Sequence, residues 1–322
     1  MSLRKVIASI KRNKTFLITS HMNLEGDALG SEIAFSRLVK KLGKIAYIVN
    51  DDCVPHNYKF LPDVDKIIKF KKGLKKIKFD CFVALDCADL NRCGNVRMLA
   101  TKKTPILNID HHTSNVRFGN INWIEPQVSS TVQMVYELYK EMGVKLDREI
   151  ALTLYVGMLT DTGSFRYSNT SSYTHKIVSE LMKYEFNIAD IYKNIYENIS
   201  FRDMKLLMGI LPQVKLDGQG KIAWFQIKRK FLKGKKVLFD LTEYVLSFAR
   251  AIKGIEVAVL FKESLDMKNE IRVNLRSRGA VDVNRIAGFF GGGGHRTASG
   301  ATVRGSLAQV RSKVLAKIKD SL

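Results

Sequence analysis

Residues 105–112 read Pro105-Ile106-Leu107-Asn108-Ile109-Asp110-His111-His112. The first five form a short, mostly apolar run, the pattern of a buried central strand. The strand runs out into one carboxylate and two imidazoles. Read alone, the triplet offers either chemistry or a turn in which one His caps and the other is solvated. Partners elsewhere in the chain decide between them.

Working back toward the N-terminus, 80–85 is another apolar strand, with Asp86-Cys87-Ala88-Asp89 at its end. Earlier still, the strand at 15–20 runs straight into His21-Met22-Asn23-Leu24-Glu25-Gly26-Asp27. A helix at 2–12 precedes it. A helix at 28–42, capped by Gly43, leads to a strand at 44–49 and completes a βαβ unit. Strands alternating with helices imply a mainly parallel sheet. Ligands of such sheets bind at the carboxyl edge of the strands, and three strands bring His or acid clusters to that edge. Working forward, 129–142 and 149–159 have helical spacing. The second helix ends in Thr160-Asp161-Thr162-Gly163, which could reach the same edge, although a lone Asp161 reads as a turn or cap residue.

Helices at 172–184, 188–197 and 202–211 follow, the last two read as a linker. Beyond Pro212 the pattern changes to strands at 221–227, 255–261 and 270–275, with helices at 241–252 and 307–321. The fold class expected is α/β: an N-terminal domain with a mainly parallel sheet flanked by helices (1–186), a helical linker (187–212) and a smaller C-terminal α+β domain (213–322). That last domain holds Arg276-Ser277 and the run Gly291-Gly292-Gly293-Gly294-His295. A solvated turn rarely needs four glycines, so the run reads as a ligand contact. Arg278 reads as a solvated neighbour of Arg276.

The 322 residues are 46% hydrophobic and 26% charged, an ordinary globular balance. No apolar run is long enough for a membrane span. The basic N-terminus lacks the apolar core of a secretory signal. A cytoplasmic location is expected. Cys53, Cys81, Cys87 and Cys93 have no CxxC spacing and read as free thiols. Lys and Arg total 53 against 31 Asp and Glu, a net charge of +22. Such a field attracts anions and steers phosphates, although the lysine pairs are scattered along the chain. His56 and His175 have no motif around them and read as surface or helix-cap residues.

Hard divalent metals take carboxylates, and Mn²⁺ also accepts imidazole. His21, Glu25, Asp27, Asp86, His111 and Asp161 would make two adjoining sites with mixed nitrogen and oxygen ligands. Two ions about 3.5–4 Å apart can share a carboxylate and a water, lower that water's pKa, and clamp phosphoryl oxygens. No other nucleophile is evident, and there is no GxSxG elbow.

The segment from His21 to Asp27, Asp86, Asp110-His111-His112 and Gly157-Met158-Leu159-Thr160-Asp161-Thr162-Gly163 resemble the four motifs of the DHH phosphoesterase superfamily. The glycine run with Arg276-Ser277 resembles the DHHA1 domain that accompanies them. Order and spacing match along nearly the whole chain. The size most resembles the bacterial bifunctional oligoribonuclease and PAP phosphatase (nanoRNase) group.

The resemblance implies a metal-dependent phosphohydrolase. It would degrade short oligoribonucleotides to mononucleotides and convert 3′-phosphoadenosine 5′-phosphate to AMP, by attack of a hydroxide in a two-metal site. His21, Glu25 and Asp86 would hold one metal. Asp27, Asp86, His111 and Asp161 would hold the other. The metal implied is Mn²⁺, with Mg²⁺ or Co²⁺ as alternatives. His112 would touch the scissile phosphate and Asp110 would orient an imidazole. Arg276, Ser277, Gly291, Gly292, Gly293, Gly294 and His295 would bind the nucleotide. A homodimer is also implied. The alternatives are a phosphodiesterase for cyclic dinucleotides or their linear products, and a non-catalytic nucleotide or RNA binder. One departure stands out. The family usually has Pro-Asp where this chain has Leu24-Glu25, so the loop must shift to place a longer carboxylate.

Overall fold

The computed structural model describes residues 2–74, 77–234, 241–265 and 267–322. Two lysine pairs, at 75–76 and 235–236, lie outside the described residues. The chain divides into two compact units, Met1–Glu197 and Asn198–Leu322.

In the first unit, α1 (Ser2–Arg12) leads into β1 (Thr15–Thr19), α2 (Gly26–Lys41), β2 (Ile45–Asn50), β3 (Ile68–Lys69), β4 (Cys81–Leu85), β5 (Ile106–Asp110) and β6 (Ile121–Ile124). Four helices follow: α3 (Thr131–Glu141), α4 (Arg148–Asp161), α5 (Ser172–Met182) and α6 (Ile188–Tyr196). The strands form one parallel sheet in the order β3-β2-β1-β4-β5-β6. The chain winds one way from β1 and the other way from β4, so these two neighbours flank the topological switch point where α/β sheets place their ligands.

One sheet face packs under α1 to α4 through Phe16, Ile18, Val83, Leu107 and Ile109. The other face, with Leu17, Phe82 and Ala84, is covered by Cys93, Val96 and their neighbours in 3₁₀ turns over Leu90–Leu99. α-Helices therefore flank one side of the sheet and 3₁₀ turns and loops the other.

α2 and α4 cross tightly because glycines line the contact. A Cβ on Gly30 would meet the Thr153 carbonyl oxygen at 2.9 Å, and one on Gly26 would meet Thr160 Oγ1 at 2.4 Å. This close crossing sets the N-terminus of α2, with Asp27, against the C-terminus of α4, with Asp161.

The second unit holds α7 (Phe201–Ile210), β7 (Lys215–Asp217), β8 (Ile222–Ile227), α8 (Arg229–Leu232), α9 (Leu241–Ala251), β9 (Val257–Glu263), β10 (Glu270–Ser277), α10 (Val283–Phe289), β11 (Gly293–Gly294), β12 (Ala298–Arg304) and α11 (Leu307–Lys319). Its sheet has the order β11-β12-β10-β9-β8-β7, antiparallel except for the β8–β9 pair. α10 and α11 cover one face, α7 and α9 the other.

The helices expected as a linker divide between the units. α6 buries Ile191 and Ile195 in the first core, and α7 buries Leu206, Leu207 and Ile210 in the second. Each is amphipathic, and a helix of that kind stabilises itself by covering an apolar face.

Candidate metal centre

Five segments deliver side chains to the carboxyl edge of the first sheet. His21 follows β1, and its Nδ1 donates to the Met22 carbonyl at 2.8 Å. That bond puts the proton on Nδ1 and aims the Nε2 lone pair at Asp86 Oδ2, 3.3 Å away. His111 follows the same logic. Its Nδ1 meets the Val128 carbonyl at 3.3 Å, and its Nε2 faces Asp161 at 3.4 Å, Asp86 at 3.6 Å and Asp27 at 3.8 Å. A lone pair facing carboxylate oxygens is repelled unless a proton or a cation lies between them.

The acids are buried as a group. Burial, then the neighbouring charges of Asp86 and Asp161, push the Asp27 carboxyl well above its ordinary range. Burial, with Glu25 and Asp86 nearby, does the same to Asp161. Glu25 is raised by burial and by Asp86. Asp86 goes the other way. Burial opposes its charge, but His21, which donates through Nε2 once its ring is protonated, and the charges of the three imidazoles hold it well below the usual carboxylate range. Asp86 also has φ of 54°, a left-handed conformation uncommon outside glycine. Backbone strain of this kind tends to gather at functional sites.

Donor atoms of His21, Glu25 and Asp86 lie within 4.8 Å of one another, as do those of Asp27, Asp86 and His111. The two sets share Asp86. Crowded carboxylates with imidazole lone pairs turned toward them fit divalent cations, which would replace the protons these acids otherwise keep. Asp161 joins through His111.

Glu25 has a second use. It is the N-cap of α2, accepting from Asp27 N at 2.9 Å and Ala28 N at 2.8 Å. Asp110 accepts from His112 Nδ1 at 2.7 Å, and these two lie with Asp86 in a third set of donor atoms within 4.8 Å of one another.

Several supporting residues carry no sequence signal. Thr131 and Val132, the first residues of α3, donate their amides to Asp27 at 2.6 and 2.8 Å. Thr131 Oγ1 donates to Asp86 at 3.0 Å. Asn115 donates to Asp110 at 2.6 Å, and Asn169 to the Asp161 carbonyl at 3.2 Å. Ser129, Ser130 and Thr131 suggest only a helix start in sequence. The targets of Thr131, Asp86 and Asp27, lie 45 and 104 positions away.

The nucleotide-binding candidates all lie in the second unit. Arg276, on β10, is paired with Glu243 of α9 through Nε at 3.0 Å and Nη2 at 2.8 Å. Ser277 is buried and faces the opposite side of the sheet, as successive strand residues must. In the glycine run, a Cβ on Gly292 would meet the Gly300 carbonyl oxygen at 2.1 Å, and Gly294 has φ of 145°. The run forms half of a tight hairpin, closed where His295 N donates to Ala298 O at 2.8 Å. Gly293 has open space at its Cβ position, with one atom at 3.8 Å; Gly291 has nothing within 4 Å but a φ of 74°. His56 and His175 are exposed and stand apart from both groups.

Residues 15–158 match the DHH family, N-terminal domain, and residues 240–322 match the DHHA1 domain. The chain is 32% identical to a bifunctional oligoribonuclease and PAP phosphatase NrnA of Thermus thermophilus, over 95% of this chain and 89% of that one. It is 28% identical to the protein of the same name in Bacillus subtilis, over 93% and 92%. The fold is similar to that of an exopolyphosphatase-related protein from Bacteroides fragilis, with a TM-score of 0.88 and 26% identity over 99% of this chain and 96% of that one. Among the described residues, no helix is long and apolar enough to cross a membrane.

Proposed function

Because the chain belongs to the DHH family of phosphoesterases and carries its DHHA1 domain, we propose that it degrades short oligoribonucleotides to mononucleotides and dephosphorylates 3′-phosphoadenosine 5′-phosphate to AMP. The observation that carries this reading is the pair of donor sets sharing Asp86 at the switch point of the sheet. His21, Glu25 and Asp86 would hold one cation, and Asp27, Asp86, His111 and Asp161 the other, with Mn²⁺ favoured by the mixed imidazole and carboxylate donors. The bound ions would supply an activated water and offset charge on the phosphoryl oxygens.

The protein's own groups do the positioning. Backbone carbonyls fix the His21 and His111 tautomers. Thr131 holds Asp86 in the orientation that faces both sets. Asp110 locks the His112 ring through Nδ1, and Nε2 is the proposed contact to a phosphate oxygen. In the second unit, Arg276 and the open Cα face of Gly293 are the proposed contacts to the nucleotide, a guanidinium fork and a stretch of backbone that a ligand can approach closely.

The test is product release from di- to pentaribonucleotides, a 24-mer, 3′-phosphoadenosine 5′-phosphate and cyclic di-AMP, with Mn²⁺, Mg²⁺ or chelator. Fast hydrolysis of the short strands and of the bisphosphate, abolished by chelator, is expected. Preference for the 24-mer or for the cyclic dinucleotide would overturn this substrate assignment.

A further inference from the structure

The formal charge is unevenly divided. The C-terminal unit, Asn198–Leu322, holds 24 Lys and Arg against 10 Asp and Glu, so it carries +14 of the chain's +22 on well under half its length.

Part of that charge is organised around one tryptophan. A groove of about 420 Å³ runs between α11 and the β7–β8 edge, lined by Lys215, Asp217, Trp224, Arg311, Leu315 and Lys319. Trp224 is nearly buried, with its ring edge-on to Phe261 at 6.4 Å. The Arg311 guanidinium lies 5.0 Å from the Trp224 ring centre and the Lys215 ammonium 5.4 Å from it. Gln226 fixes Arg311 further by accepting from its Nη1 at 2.8 Å. Asp217, the acid of the groove, is engaged by Lys319 at 2.8 Å. The charges of Lys215 and Arg311 are therefore held in place with no acid of the groove left to neutralise them. Each cation is attracted to the ring face, yet two like charges on one ring repel each other. An anion between them removes that repulsion.

The other flank of α11 repeats the pairing. Lys317 sits 5.1 Å from the ring centre of Phe289, which ends α10 and is 69% exposed. Phe289 lies two positions before the glycine run. Cations interleaved with aromatic rings along a groove are how proteins follow a single-stranded phosphodiester chain: phosphates meet the cations and bases meet the rings.

We propose that this face of the C-terminal unit is an accessory binding track for single-stranded RNA, with phosphates on Lys215, Arg311 and Lys317 and a base against Phe289. The identity of the ligand rests on the substrate proposed above. The groove sits at the β7 edge and the glycine hairpin at the β11 edge of the same six-stranded sheet. Five strand spacings of about 4.8 Å separate them by roughly 24 Å. At about 3.4 Å per stacked nucleotide that span is roughly seven nucleotides. Di- to pentanucleotides at the glycine hairpin do not reach the groove, and longer strands do.

The test uses the full-length chain. Fluorescence anisotropy in chelator, which stops cutting, measures binding of end-labelled RNA of 3, 5, 12 and 24 nucleotides. Wild type is compared with Lys215→Glu/Arg311→Glu. A milder variant, Lys215→Gln/Lys317→Gln, keeps Arg311 on Trp224 in case the reversed charges loosen the unit. Affinity for the 12- and 24-mers should fall tenfold or more in the first variant. The slope of log affinity against log salt should flatten by about 1.4, two phosphate contacts at about 0.7 each. Binding of the 3-mer and its Mn²⁺-dependent hydrolysis should stay within twofold. Unchanged 24-mer binding in both variants, an equal loss for the 3-mer, or tighter binding of an acidic peptide than of the 24-mer overturns the track. Failure of wild type to cut any oligoribonucleotide sinks the substrate reading instead, and the length-dependent binding then judges the track on its own.

Discussion

The candidate metal centre of the N-terminal unit and the glycine hairpin of the C-terminal unit are both dense in unusual residues, and the two densities have different causes. At the centre the local fold gains little from what it holds. Asp27 and Asp161 are driven well above their ordinary ionisation range, and Asp86 sits in a left-handed conformation. In the hairpin, Gly292 and Gly294 are what the backbone requires, because a side chain would strike β12. A concentration of one residue type points to chemistry where the fold has no use for it, and to architecture where it does. Arg276 stands between these cases, since Glu243 already holds it.

The sharpest way to break this comparison is Asp86→Ala. It removes the one carboxylate common to both donor sets. Metal-dependent hydrolysis should fall by about three orders of magnitude or more, since several kcal/mol of charge stabilisation would go with it. Activity within tenfold of wild type in a steady-state assay would refute a shared ligand.

The hairpin side is tested by a pair of melts. Gly292→Ala should destabilise the unit by about 1–3 kcal/mol, the usual cost of overpacking. Gly293→Ala should stay within about 0.5 kcal/mol. If Gly293→Ala nonetheless raises KM several-fold, the open position is where backbone meets nucleotide.

Glu25→Asp is a finer probe. Asp still caps α2, while the shorter side chain restores the family's usual acid. One class of site should bind Mn²⁺ more tightly by about threefold to tenfold in a metal titration. An unchanged isotherm would mean that Glu25 serves the helix alone.

The smallest effect concerns Glu32, fully buried on α2, whose Oε2 accepts from Asn50 at 2.8 Å. Burial pushes its carboxyl up to about 8, against about 4.3 in an unfolded chain. Between those values the folded protein binds a proton that the unfolded chain lacks, so this contribution is lost as pH rises toward 8. Glu32→Gln should flatten that slope, removing several degrees of the fall in melting temperature between pH 5 and pH 8.5. An identical pH dependence in wild type and variant would show that Glu32 is ionised throughout.

The parts of the molecule legible in sequence are those with one-dimensional causes. β1, β4 and β5 are apolar runs because both sheet faces are covered, and their ends carry the His and acid clusters. β6 was missed, since Ile121-Asn122-Trp123-Ile124 is too short and half-polar to stand out. So was β12, where Ala298–Arg304 mixes small and polar residues in a sheet-edge hairpin. The support of the metal centre was hidden for another reason. Thr131, Asn115 and Asn169 are ordinary turn or helix-start residues, and only folding shows what their side chains or amides reach. The Glu243–Arg276 pair, 33 positions apart, has the same character.

The α3 amides on Asp27 have a consequence for how the protein lives between metals. Two neutral donors already satisfy that carboxylate, and Thr131 satisfies part of Asp86. The architecture would therefore not need bound ions in order to fold, unlike small zinc domains that are unfolded without them. Chelation should lower the melting temperature only by the mass-action share of bound metal, with a cooperative transition retained. A centre built this way would survive being emptied, so activity would follow the supply of metal while the amount of folded protein stayed the same.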